Sequence, residues 1–166
     1  MPPDQKLVEP AYASFRAADI PEIVRDGARA RVVAGQVDGV TGPMQLATAT
    51  TLVHVHLAAG AALTLAVDAT QELGLYVLDG ALAGDDGAVA GAGTLVVLTA
   101  GDSVRIAATA GSSLDVALLG GAPVQGPVLF SGPFVMDTQE RLAQARRDFA
   151  SGRMGTLDGV PFAKNP

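Results

Sequence analysis

From Ala30 to Leu119 the chain is a succession of short Val- and Leu-rich runs cut by glycine-containing pairs. The runs are Leu52–Leu57, Leu63–Val67, Leu75–Leu78, Thr94–Leu98, Val104–Ala107 and Leu114–Leu118. Their length and their β-branched content read as strands. Asp79-Gly80, Asp86-Gly87, Gly101-Asp102 and Gly111-Ser112 separate or flank them. Strands spaced this regularly predict a sandwich or a closed barrel. In Leu52-Val53-His54-Val55-His56-Leu57 the alternation assigns Val53, Val55 and Leu57 to one face and Leu52, His54 and His56 to the other. The stretches Ala83–Gly87 and Ala88–Gly93 are near low complexity and read as connections; no phosphate-binding lysine follows either.

A second signal closes the strand region. In Ser131-Gly132-Pro133-Phe134-Val135-Met136-Asp137-Thr138-Gln139-Glu140, Pro133 cannot donate to a sheet ladder, so the β-rich part is expected to stop here. Asp137 followed three residues later by Glu140 reads as a capping box, with a helix beginning near Thr138. Leu142, Ala145 and Phe149 form its apolar stripe, Arg141, Arg146 and Arg147 lie off it, and Gly152 is a natural stop.

The composition narrows the functional classes. A chain of 166 residues, 49% hydrophobic, suits one globular domain with one core. Aromatic residues make up only 4%, so the core must be built largely from Val, Leu and Ala. A net charge of -6 repels a phosphate backbone, which disfavours direct nucleic-acid binding. The absence of cysteine excludes disulfides and thiolate metal sites. No uninterrupted apolar run is long enough to span a bilayer, and a cytoplasmic protein with no membrane partner is the expectation.

The order Gly-Pro-Phe-Val-Met, Asp137, Thr138, an acidic helix start, then Asp148-Phe149 and Ser151-Gly152-Arg153-Met154-Gly155 resembles the C-terminal end of the pirin family. Leu118-Leu119-Gly120-Gly121-Ala122-Pro123, followed by Gly126-Pro127-Val128, is similar to that family's approach to the motif. Val32-Val33-Ala34-Gly35 with Gly39-Val40-Thr41-Gly42-Pro43 resembles its first C-domain strand and loop. Pirins are bicupins whose familiar iron ligands belong to the first barrel, and the resemblance covers only the second half. It implies an all-β, cupin-type (jelly-roll) β-barrel with a short C-terminal α-helix. The expected division is a linker-like segment over 1–22, the barrel over 23–135, and the helix and tail over 136–166. The resemblance implies a noncatalytic structural or interaction module, and because some pirins act as quercetin 2,3-dioxygenases, part of such a metal-dependent oxygenase is the alternative. A lone second half would leave an apolar surface open, so a homodimer or a separate cupin domain is the expected partner, unless the linker-like segment folds back over it.

A cupin metal site generally needs a His-x-His pair with a Glu shortly after it and a further His on a later strand, so that imidazole and carboxylate donors converge. Glu72 lies about where the acidic ligand would fall, but residues 67–71 and Thr94–Leu98 hold no histidine. His54 and His56 come one strand too early, and with Asp115 or Glu72 as a third donor they make a weak site. They are expected to be surface or barrel-mouth histidines. Tyr12 and Tyr76 are expected to be packing residues, and the serines lie in no nucleophile elbow. No residue is assigned a catalytic, cofactor-binding or metal-ligating role, and no cofactor is expected.

Overall fold

The computed structural model describes residues 2–9 and 11–155. Two 3-10 turns, Pro3–Gln5 and Ala17–Asp19, precede the strands. These are β1 (Glu22–Arg25), β2 (Ala28–Ala34), β3 (Gln36–Val37), β4 (Val40–Thr41), β5 (Thr50–Leu57), β6 (Ala62–Ala66), β7 (Glu72–Ala83), β8 (Val89–Gly91), β9 (Leu95–Val97), β10 (Ser103–Ala107) and β11 (Leu114–Gly121). A hairpin of β12 (Leu129–Ser131) and β13 (Phe134–Met136) then leads into α1 (Gln139–Ala150).

The chain divides into two compact units, Glu9–Pro123 and a second one that joins residues 2–8 to 124–155. In the first, a seven-stranded sheet runs in the order β1-β2-β5-β11-β7-β8, with β9 also paired to β7, and β6 pairs with β10 in a separate two-stranded sheet. All these pairings are antiparallel. Both sheets contribute to one core. Val53, Val55 and Leu57 from β5, Leu63 and Leu65 from β6, and Ile106 from β10 belong to it, all at 5% exposure or less. The alternation read in Leu52–Leu57 is thus realised: every second residue of β5 is buried and the residues between are not. A pleated strand sends successive side chains to opposite faces, so a sequence with period two can bury only one face.

Three local expectations are corrected. Asp79-Gly80 does not separate two strands, because β7 runs through it. Opposite it the register slips between Asp115 and Val116, leaving a β-bulge that absorbs one extra residue, and Gly80 takes φ +78° there. Pro133 does not end the β structure either. Gly132-Pro133 lies at the turn of the β12–β13 hairpin, where proline's missing N–H costs no ladder bond. This hairpin pairs only with itself, which is why it groups with the helix and not with the barrel sheet.

The third correction concerns the helix start. Thr138, not Asp137, is the N-cap, and its Oγ1 accepts the Arg141 backbone N–H at 3.1 Å. Asp137 sits one residue earlier and instead takes the Arg141 guanidinium on both carboxylate oxygens, at 2.9 and 2.8 Å. The same guanidinium donates to the Pro3 carbonyl at 2.8 Å, fastening the N-terminal segment to the helix start. Leu142 and Ala145 are buried as the stripe predicts, but Phe149 is 64% exposed. It lies in the last turn, where its ring meets Phe134 edge to face at 5.7 Å between centroids, covering the hairpin rather than entering a core.

Candidate functional site

The barrel interior is where a cupin-type site would lie. The inward-facing residues are Val53 and Val55 on β5, Leu63 and Leu65 on β6, Leu73, Leu75 and Val77 on β7, and Leu114, Val116 and Leu118 on β11. Glu72 opens β7 on the exposed side, the position that alternation forces once Leu73 and Leu75 are inside. On the later strand Val96 packs against the core, flanked by exposed Leu95 and Val97. Thr51, the one buried hydroxyl residue among the described residues of this unit, donates to Gln71 Oε1 at 2.7 Å and is satisfied. A redox metal needs several imidazole or carboxylate donors converging on one point. The inward set here is hydrocarbon, so these residues do not fit such an ion.

The histidines lie on the opposite face. His54 and His56 alternate with Val53, Val55 and Leu57, so burial of those three turns both imidazoles outward. In the sheet register His56 lies beside Asp115 of β11 and Arg29 of β2, and His54 lies beside Arg31. Asp115 receives both rings: His54 Nε2 at 3.0 Å on one oxygen and His56 Nδ1 at 3.1 Å on the other. Of the two, the His56 contact is a hydrogen bond. On the other flank Glu22 of β1 accepts Arg31 Nε at 2.7 Å and lies 3.7 Å from Arg29 Nε. The Arg31 hydrogen bond, reinforced by the charges of Arg29 and Arg31, holds the Glu22 carboxyl below its ordinary pKa.

Arg29, Arg31, His54, His56 and Asp115 together line a depression of about 350 Å³ on the outside of the sheet. Of the two third donors weighed from the sequence, Asp115 joins the histidines and Glu72 does not. Even so, among the described residues no group of three or more His, Cys, Asp or Glu is arranged to hold a metal ion. The cluster contains no activated nucleophile. It can tie neighbouring strands together and present ordered charge to a partner. The arginines were not singled out from the sequence, although the Ala28-Arg29-Ala30-Arg31-Val32 alternation carried the signal: buried Ala28, Ala30 and Val32 force both arginines outward. Tyr12, expected to pack, is 93% exposed, and Tyr76 is 38% exposed on the outer face.

Among known families, the model of the pirin C-terminal cupin domain matches residues 52–155. The chain belongs to the pirin family. Its all-β cupin-type fold with one helix is the pirin C-terminal fold that the sequence motifs implied. Similar proteins include a pirin-like protein of Arabidopsis thaliana, 34% identical over 91% of this chain and 51% of that protein. Human pirin is 29% identical over 91% of the chain and 53% of its own length. Among solved structures, a quercetin 2,3-dioxygenase from Acinetobacter baumannii superposes with a TM-score of 0.85 at 27% identity, covering 94% of this chain and 55% of that one. The chain therefore spans about half the length of the pirins it matches. No described helix is long and apolar enough to cross a membrane.

Proposed function

We propose that this chain acts as a noncatalytic pirin C-terminal domain, a structural or interaction module with no metal chemistry of its own. The observation that carries this reading is the hydrocarbon interior, to which Leu65 on β6, Leu73 on β7 and Val96 on β9 contribute along the stretches where the motif would call for ligands. The outward histidines support it, since Asp115 already engages both rings. A module of this kind works through its surfaces, and the seven-stranded sheet presents its outer face. The similarity to a quercetin 2,3-dioxygenase favours a second reading, in which the chain forms part of such an oxygenase whose metal ligands lie in the half it does not span.

Metal analysis of the purified chain, combined with a flavonol-cleavage assay, tests the first reading. The expected result is far less than one iron per chain, no turnover, and no change when His54 and His56 are both replaced by alanine. Close to one tightly held metal per chain, or flavonol turnover by the chain alone, would overturn it.

A further inference from the structure

We propose that the outer face of the seven-stranded sheet is a self-complementary docking surface for a second copy of this chain, mated about a twofold axis running along the strands between β5 and β11. This deepens the reading of the chain as an interaction module by naming the surface and its occupant.

The argument rests on register. The antiparallel pairings set outward residues in rows that cross the sheet. One row reads Arg29, His56, Asp115, Asp79 from β2 to β7. The next reads Arg31, His54, Ala117, Tyr76 over the same strands. In the third, Leu52 of β5 lies beside Leu119 of β11. Each row is therefore centred on the boundary between β5 and β11, with β2 and β7 equally far from it.

A twofold axis along that boundary, lying between two facing sheets, carries β2 of one copy onto β7 of the other and β5 onto β11. The first row then sets Arg29 against the partner's Asp79, cation against carboxylate, and His56 beside the partner's Asp115. The second sets Arg31 over the exposed ring of Tyr76, a cation on an aromatic face. The third closes Leu52 on Leu119, so the apolar contact falls next to the charged rows. Apart from Glu22 on β1, which pairs with Arg29 and Arg31, the carboxylates of this face stand on β7 and β11 and its arginines on β2, an arrangement that the rotation makes complementary. Sheets packed face to face keep their strands nearly aligned, which is the geometry this axis produces. The apolar area of the face supports the same conclusion: Tyr76, Leu78, Leu95, Val97 and Leu119 are each at least 36% exposed on neighbouring strands. Outward positions of an antiparallel sheet that meets only water are ordinarily polar. A polyanion is a poor occupant, because Glu22, Asp79 and Asp115 share the face and the chain carries a net charge of -6.

Charge exchange tests the arrangement. Light scattering across a concentration series on the intact chain should show the mass rising from 16.7 kDa towards twice that value. Arg29→Asp and Asp79→Arg should each weaken the dimer by about 100-fold, since symmetry places a like-charge contact at two points of the interface. Combining the two restores opposite charges at both points and should recover dimerisation. Both residues are exposed, and circular dichroism confirms that the variants fold. A mass that stays at 16.7 kDa at the highest concentration, a dimer indifferent to the single changes, or a double variant no better than the singles would each overturn the proposal. Metal content and turnover judge the noncatalytic reading separately, so either idea can fail without the other.

Discussion

Gly39 and Gly80 both adopt φ +78°, yet they differ in what surrounds them, and this makes a controlled experiment. Gly39 follows Asp38 in the turn between β3 and β4, and a Cβ added there meets nothing within 4 Å. Alanine at that position suffers only the left-handed backbone penalty, about 1–2 kcal/mol. At Gly80 the same penalty applies, and the added Cβ would also clash with the Ser113 carbonyl oxygen and lie 3.2 Å from the Leu114 Cα. Those atoms are backbone and cannot rotate away. Relief requires β7 and β11 to part by more than an ångström at the bulge, which weakens ladder hydrogen bonds worth about 1 kcal/mol each and loosens the packing of fully buried Leu114 and Val77. The expected cost of Gly80→Ala is therefore about 4 kcal/mol or more, against about 1.5 for Gly39→Ala. Urea titrations of the two variants and the parent measure both values. A difference below about 1 kcal/mol would refute the claim that the bulge needs glycine for space as well as for φ.

Leu142→Ala should destabilise by about 3 kcal/mol, because the side chain is buried, whereas Phe149→Ala should cost less than about 1.5, the worth of an exposed edge-to-face pair; denaturant melts of both decide. The Arg141 hydrogen bonds hold the Asp137 carboxyl below its ordinary pKa, so its contribution is complete above a pH of about 4 and disappears as the pH falls through the depressed value. Asp137→Asn should therefore weaken the helix-bearing unit at neutral pH but match the parent in strong acid, as followed by circular dichroism from neutral to acid pH. Thr51→Val removes the 2.7 Å bond to Gln71 and should cost about 1 kcal/mol, read in the same titrations.

How far the sequence could be read depended on the range of the interaction involved. Strand positions and faces were legible because alternation is local: once Val53, Val55 and Leu57 are apolar, His54 and His56 must point the other way. The family resemblance was legible as well, in the motif from Ser131 to Gly155. Where two local devices competed, the sequence left the choice open. Asp137 and Thr138 can each cap a helix, and what separates them is Arg141, which claims both oxygens of Asp137 while bridging to Pro3, a residue 138 positions away. Phe149 fits the apolar stripe by spacing, yet the edge of Phe134 across the hairpin holds it at the surface.

By itself, then, the sequence determined an all-β chain with a closing helix, an apolar core built largely from Val, Leu and Ala, and the face on which each histidine lies. Periodicity and residue chemistry act within a few positions, so they can be read along the chain. Only the tertiary structure decided which strands are neighbours. Asp115 lies 59 residues from His56, and Asp79 lies 50 from Arg29 by their numbers, yet sheet order and register bring all four into one row. Register is set by the packing of buried side chains between β2, β5, β11 and β7, and a slip of one residue would turn each charge to the other side. The outer face with its ordered charges is for that reason a product of the fold, although every residue in it can be read from the chain.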